Sequence, residues 1–158
     1  MTKRIDKTQM EFLLDRYRRY GGRDPRWTAL WKRLMAKGGQ AVVFPLSMDG
    51  EPHLDELLSR RATFSKDKAR MILGVRNECH GNACILESRE GYKVGTGYAL
   101  SPDGLWRQHS WAIDQDGRIV ETTERRVAYY GFTMTAPEVK LFRHSLALAW
   151  GVPISQLR

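Results

Sequence analysis

Met10, Leu13, Leu14 and Tyr17 recur at helical spacing and are followed by Gly21-Gly22, so the pattern predicts a helix over residues 7–20. Asp24-Pro25 opens a second helix, a good N-cap followed by the residue whose fixed φ suits the first helical position. Its apolar positions Trp27, Leu30, Trp31, Leu34 and Met35 fall at i, i+3, i+4, i+7 and i+8. That spacing makes both tryptophans part of a buried stripe rather than a binding stack. Gly38-Gly39 ends the stripe. Residues 41–44 read as a short strand stopped by Pro45, and residues 53–62 and 65–73 read as helices.

From Tyr92 the period changes to two. Pro102-Asp103-Gly104 and Gln115-Asp116-Gly117 both suit three-residue hairpin loops, a type I turn closed by a left-handed glycine. The chain therefore predicts a meander of strands at about 92–100, 105–114 and 118–123, with a fourth through Ala128-Tyr129-Tyr130. A last helix begins near Thr135, buries Val139, Phe142 and Leu146, and ends before Gly151 and Pro153. The expected fold class is α+β: N-terminal helices on an antiparallel β-sheet, then a C-terminal helix, in a single domain over residues 1–158.

The hairpin loops also fix a register. A three-residue loop at 115–117 pairs Asp114 with Arg118, which sets Ile113 against Ile119 and Trp111 against Glu121. His109 and Glu121 then become diagonal neighbours on one sheet face, within reach of long side chains. The loop at 102–104 pairs Ser101 with Leu105, which sets Gly97 across from His109 and Gly95 across from Trp111. Two glycines there predict a shallow recess beside His109 and Trp111.

A helix start faces that recess. Arg76-Asn77-Glu78-Cys79-His80-Gly81-Asn82-Ala83-Cys84 opens a helix with Asn77 as the expected N-cap, placing Cys79 in the first turn. Unpaired amides and the helix dipole there favour a thiolate. Cys84, followed by Ile-Leu, suits a small buried hydrophobe instead. The expected triad is Cys79 as nucleophile, His109 as general base and acid, and Glu121 as the group that orients the imidazole. First-turn amides with Asn77 or Asn82 would hold the oxyanion, and Trp111 would shield the His–Glu contact. Gathering Cys79, His80, Cys84 and His109 around a metal fits the spacing poorly, because adjacent Cys79 and His80 side chains point apart; no metal or other cofactor is expected.

Composition narrows the class further. The chain has 158 residues, 42% hydrophobic and 28% charged, with a formal net charge of +8. Two cysteines are too few to staple a secreted fold, no apolar run is long enough to span a bilayer, and no secretory signal is evident. A cytoplasmic protein with reduced thiols is expected. The charge is uneven: residues 1–37 hold eleven Lys/Arg against four Asp/Glu, a net +7. An alternative reading therefore makes the chain a non-catalytic binding protein whose basic N-terminal helices (1–39) engage nucleic acid or an acidic protein.

The region 76–132 resembles the papain-like and transglutaminase-like cysteine hydrolase superfamily. It is most similar to a group of small, mostly uncharacterised bacterial proteins of that architecture. Their pattern of Cys-x-x-Asn-Ala, His-x-Trp, Asp-Gly, acid-x-Thr and Tyr-Tyr-Gly reads here as Cys79, Asn82 and Ala83, then His109 and Trp111, Asp116 and Gly117, Glu121 and Thr123, and Tyr129, Tyr130 and Gly131. The acid is Glu121 where Asp is usual, and no clear oxyanion-type glutamine precedes Cys79. The resemblance implies a Cys-His-acid triad acting on a peptide, isopeptide or other amide bond by hydrolysis or acyl transfer.

Overall fold

The computed structural model describes residues 5–21, 23–45 and 50–150 of the chain. They form five α-helices and seven strands: α1 Lys7–Arg16, α2 Pro25–Met35, β1 Ala41–Val42, α3 Leu54–Leu58, β2 Thr63–Ser65, β3 Arg70–Met71, α4 Cys79–Glu90, β4 Lys93–Leu100, β5 Leu105–Ile113, β6 Ile119–Glu121, β7 Ala128–Thr133 and α5 Ala136–Trp150. The class is α+β. Strand order is β2-β7-β4-β5-β6-β3, with β1 paired to β5. The sheet is mixed rather than antiparallel throughout, because β1 runs parallel to β5 and β3 parallel to β6. Hairpin chemistry predicts only the local antiparallel pairs; the two parallel pairs join segments far apart in the chain. Among the described residues no helix is long and apolar enough to cross a membrane.

The chain divides into two compact units, and β4 and β5 contribute residues to both. The first comprises 1–66, 97–108 and 126–132. Here α1 starts on a capping box in which Asp6 accepts from the Gln9 amide while the Gln9 side chain accepts from the Asp6 amide. It ends at Arg16, and a π-type turn continues over Tyr17–Gly21; Gly22 lies outside the described residues. Asp24 caps α2 and Pro25 opens it. Trp27, Leu30 and Leu34 are buried as the stripe predicts, whereas Trp31 and Met35 are only partly so. Trp27 packs edge-on against Phe44 at 4.7 Å. Glu51 is also buried here, accepting from the Tyr98 hydroxyl and the Gln108 amide, each at 2.8 Å.

Two helix expectations change. Residues 53–62 contain only the short α3, and 65–73 is not a helix but the end of β2 and all of β3. Lys66–Arg70 is made of helix formers, yet the edges of β6 and β7 take the flanking residues into strands. Tertiary pairing overrides weak local propensity there.

The second unit comprises 67–96, 109–125 and 133–158. Ala112 pairs with Val120 and Ile113 with Ile119, the register that the three-residue loop predicts. Asp114 donates its amide to Arg118 O, and Gly117 closes the turn at φ +79°. Tyr92, Ala112 and Val120 form a buried cluster with Ile72 and Leu86 against it. The last helix begins after Thr135, whose hydroxyl accepts from the Glu138 amide. Val139 and Ala147 are its buried contacts, with Phe142 and Leu146 half-buried. Gly151 and Pro153, expected to end it, lie outside the described residues.

Candidate active site

Every side chain of the candidate triad belongs to the second unit. Cys79 is the first residue of α4, so it sits among amides that have no partner within the helix. The N-cap, however, is Glu78 and not Asn77. Asn77 lies one residue earlier at φ +62°, exposed, in the left-handed region that asparagine tolerates. The chain needs that reversal to turn from the edge strand into the helix.

His109 reaches the site from β5 and Glu121 from β6. His109 Nε2 lies 3.1 and 2.8 Å from Glu121 Oε1 and Oε2, with both side chains shut from solvent. Glu121 Oε1 also accepts from the Thr122 and Thr123 amides and the Thr123 hydroxyl, all within 3.1 Å. Those bonds stabilise the carboxylate as an anion. The imidazole uses its Nε2 on Glu121, and the Cys79 thiol acts electrostatically on the same ring.

The electrostatics follow from these contacts. Burial alone would raise the Cys79 pKa, but hydrogen bonds and charge from His109 and His80 outweigh it and bring the thiol down to about 5. Burial likewise opposes the charged form of His109, yet its bonds to Cys79 and Glu121 raise its pKa above the ordinary value. Cys84 shows the opposite balance: burial pushes its thiol up to about 11. The surroundings of the two cysteines of one helix thus favour the thiolate at Cys79 and the thiol at Cys84.

The other expected residues have different places. Asn82 is buried, and its amide is spent on Val75, accepting from the Val75 N–H at 3.0 Å and donating to the Val75 carbonyl at 2.8 Å. It pins the approach to α4 and is not directed at an oxyanion. Trp111 is buried beside His109, ring centroids 6.3 Å apart. The expected recess is filled: a Cβ on Gly95 would fall 2.2 Å from Trp111 Nε1, and one on Gly97 2.2 Å from Tyr130 O. The glycines admit an indole and a neighbouring backbone instead of leaving an opening.

A hydroxyl chain escaped the sequence reading. Ser110 Oγ lies 2.6 Å from His80 Nδ1 and 2.9 Å from Thr96 Oγ1. The register that pairs Ser101 with Leu105 also pairs Thr96 with Ser110, so this contact was open to the same arithmetic. Nothing in the sequence singles out His80 as its end.

The basic N-terminal helices are partly self-neutralised. Lys7 pairs with Glu11, Arg19 with Asp15, and Arg26 with Asp24 and Asp55. Arg33 donates to the Tyr130 hydroxyl, and Lys37 lies over the Phe64 and Tyr130 rings. Lys3 and Arg4 lie outside the described residues. No family model, no curated protein and no solved structure matches the chain.

Proposed function

We propose that the protein is a cysteine hydrolase or acyltransferase of the papain-like and transglutaminase-like type, acting on an amide, peptide or isopeptide bond through Cys79, His109 and Glu121. One observation carries the reading: a helix-start cysteine whose thiol is drawn towards its charged form by a buried histidine, itself held at Nε2 by a buried carboxylate. Structural histidines rarely need a carboxylate and a thiol together, whereas nucleophilic catalysis needs both.

The chemistry runs in two steps. Cys79 yields its proton to His109, and the thiolate attacks the carbonyl carbon to form an S–C bond. Unpaired amides of the first turn of α4 supply the hydrogen bonds to the developing oxyanion. His109 then passes its proton to the leaving amine as the C–N bond breaks, giving a thioester. Water or an acceptor amine attacks next, His109 takes its proton, and the sulfur leaves as thiolate. Glu121 stays ionised and keeps the imidazole in its working tautomer.

The test is acylation by p-nitrophenyl acetate, followed by mass spectrometry of the intact protein. A burst of one nitrophenolate per chain is expected, with the acetyl group on Cys79. Cys79→Ala should abolish the burst and His109→Ala should slow it by about 100-fold or more. A burst that survives Cys79→Ala overturns the reading.

A further inference from the structure

The contact between His80 and Ser110 joins the immediate chain neighbours of the two reacting side chains. His80 follows Cys79 in the first turn of α4, and Ser110 follows His109 in β5. His80 Nδ1 lies 2.6 Å from Ser110 Oγ. Consecutive Cα atoms are about 3.8 Å apart, so a bond between 80 and 110 limits how far 79 and 109 can part. Behind Ser110 the link continues: Thr96 Oγ1 is 2.9 Å from Ser110 Oγ and donates to the His109 carbonyl at 3.4 Å. The helix start is thereby tied to the backbone of the base itself. The Phe142 ring of α5 stands edge-on to the His80 imidazole at 5.4 Å, with 84° between planes, and packs it from another side.

The hydrogens of this chain have one consistent assignment. The His109 carbonyl can only accept, so Thr96 donates to it. Thr96 has no second hydrogen, so Ser110 donates to Thr96. Ser110 then has only lone pairs left for His80, whose Nδ1–H is the donor. Ser110 and Thr96 are both buried, and a buried hydroxyl is costly unless its hydrogen-bonding capacity is used. Alanine and valine would fill the same space in the strands without that cost. What the two hydroxyls gain is the His80 ring at one end and the His109 carbonyl at the other.

We propose that His80, Ser110 and Thr96 are positioning residues: they form a clamp of three hydrogen bonds that registers the start of α4 on β5 and so places the Cys79 sulfur against the His109 imidazole. This rests on the reading of Cys79 as the nucleophile and His109 as its base. His80 acts through its Nδ1–H as an arm of its helix and exchanges no proton in the reaction. Asn82 holds the same stretch of helix to Val75. A chain without the clamp therefore keeps that anchor and loses the one on β5.

The experiment reads Cys79 in the full chain by mass spectrometry, with two reagents. Iodoacetamide forms an S–C bond and releases iodide; p-nitrophenyl acetate passes its acetyl group to sulfur and releases nitrophenolate. Ser110→Ala should slow the burst by about tenfold or more and raise the pH midpoint of alkylation by about one unit. Thr96→Val keeps the side-chain shape, removes the link to the His109 carbonyl and should act in the same direction; it decides the matter if Ser110→Ala does not fold. His80→Leu should match Ser110→Ala. His80→Asn, whose amide nitrogen falls where Nδ1 stood, should recover most of the rate lost in His80→Leu, and His80→Gln, with its amide one atom further out, should not. Ser110→Ala and Thr96→Val chains that lose urea resistance but keep the parent's burst rate and alkylation profile overturn the clamp and leave the nucleophile standing. So does a His80→Asn chain no faster than His80→Leu. A parent with no burst on Cys79 overturns both readings.

Discussion

Glu121 turns one carboxylate oxygen back onto its own chain while both oxygens lie within reach of His109, the other being the nearer. Oε1 accepts from the Thr122 and Thr123 amides and the Thr123 hydroxyl, and Oε2 sits 2.8 Å from His109 Nε2. A fully buried charge is costly unless its lone pairs are filled, and here the strand end fills them. The carboxylate is therefore built into the backbone at the end of β6, and the imidazole is oriented against a fixed point.

Removing that point should be expensive. Glu121→Ala leaves His109 buried without its partner and the two threonine amides unpaired. A loss of roughly 3–5 kcal/mol is expected for breaking one side of a buried pair, measured by urea unfolding. Glu121→Gln should cost much less, since its carbonyl oxygen still accepts from Thr122 and Thr123. Its NH2 group then faces Nε2 and forces the wrong tautomer, so acylation of Cys79 should fall by about 10⁴-fold with the fold kept. Equal stability losses in the two variants would contradict this account.

The thiolate–imidazolium pair gives stability a definite pH shape. The folded pKa of Cys79 is depressed, so its contribution is complete above the thiol's ordinary value near 9 and is lost as pH falls through about 5. The folded pKa of His109 is raised, so its contribution is complete below about 6.5 and is lost as pH rises through the raised value. Above the ordinary histidine value, and until the raised His109 pKa is reached, folded and unfolded chains carry the same number of protons on this pair. Stability from the pair should therefore climb from about pH 5 to about 6.5 and then level off until pH reaches the raised His109 value. Urea unfolding of the parent minus that of Cys79→Ala should show the ramp and the plateau. A difference that is flat from pH 5 to 7 would remove the ion pair.

The parts of this site that rest on local rules were legible in the sequence. Gln115-Asp116-Gly117 dictates the loop, the loop dictates that Ala112 meets Val120, and that register brings His109 beside Glu121. The Cys79 helix start needed only the change of pattern after Arg76. What local rules could not reach were partners from distant chain. Strands β1 and β3 are two residues each and exist because longer strands offer an edge. Asn82 reads as a polar group available to substrate until its partner Val75 is seen, seven residues away across a left-handed turn. Gly95 and Gly97 read as an opening because absent side chains look like space, while the actual occupants are an indole and the β7 backbone.

Gly97 makes the second point testable. Its φ of +155° and a Cβ position 2.2 Å from Tyr130 O mean that an alanine collides with backbone, which cannot rotate away as a side chain can. Gly97→Ala should fail to accumulate as folded protein. At Gly95 the colliding atoms belong to the Trp111 indole, so Gly95→Ala should fold at reduced stability with altered tryptophan fluorescence. Soluble expression and near-ultraviolet circular dichroism of the two variants check the contrast. A Gly97→Ala chain as stable as its parent would refute it.

The position of Cys79 relative to Glu121 depends on a strap that carries no chemistry. Beyond β3 the Ile72 and Gly74 amides donate to the Glu121 and Thr122 carbonyls, running the chain along the strand that bears the acid. Val75 then clips to Asn82 by both of its backbone groups, three residues into the helix that bears the nucleophile. Gly74 is small because the Asn82 amide lies where its side chain would be, with Cγ 2.5 Å from the Cβ position. Gly74→Ala must displace either the strap or the asparagine, and Asn82→Ala leaves a buried donor and acceptor unpaired, costing about 1–3 kcal/mol. Asn82→Asp is the sharper probe: its carboxylate still accepts from the Val75 amide but sets an oxygen against the Val75 carbonyl. All three should lower the melting temperature and also raise the pH midpoint of Cys79 alkylation, because the sulfur moves away from His109. A drop in melting temperature with the alkylation profile unchanged would show that the strap stabilises the fold without placing the nucleophile.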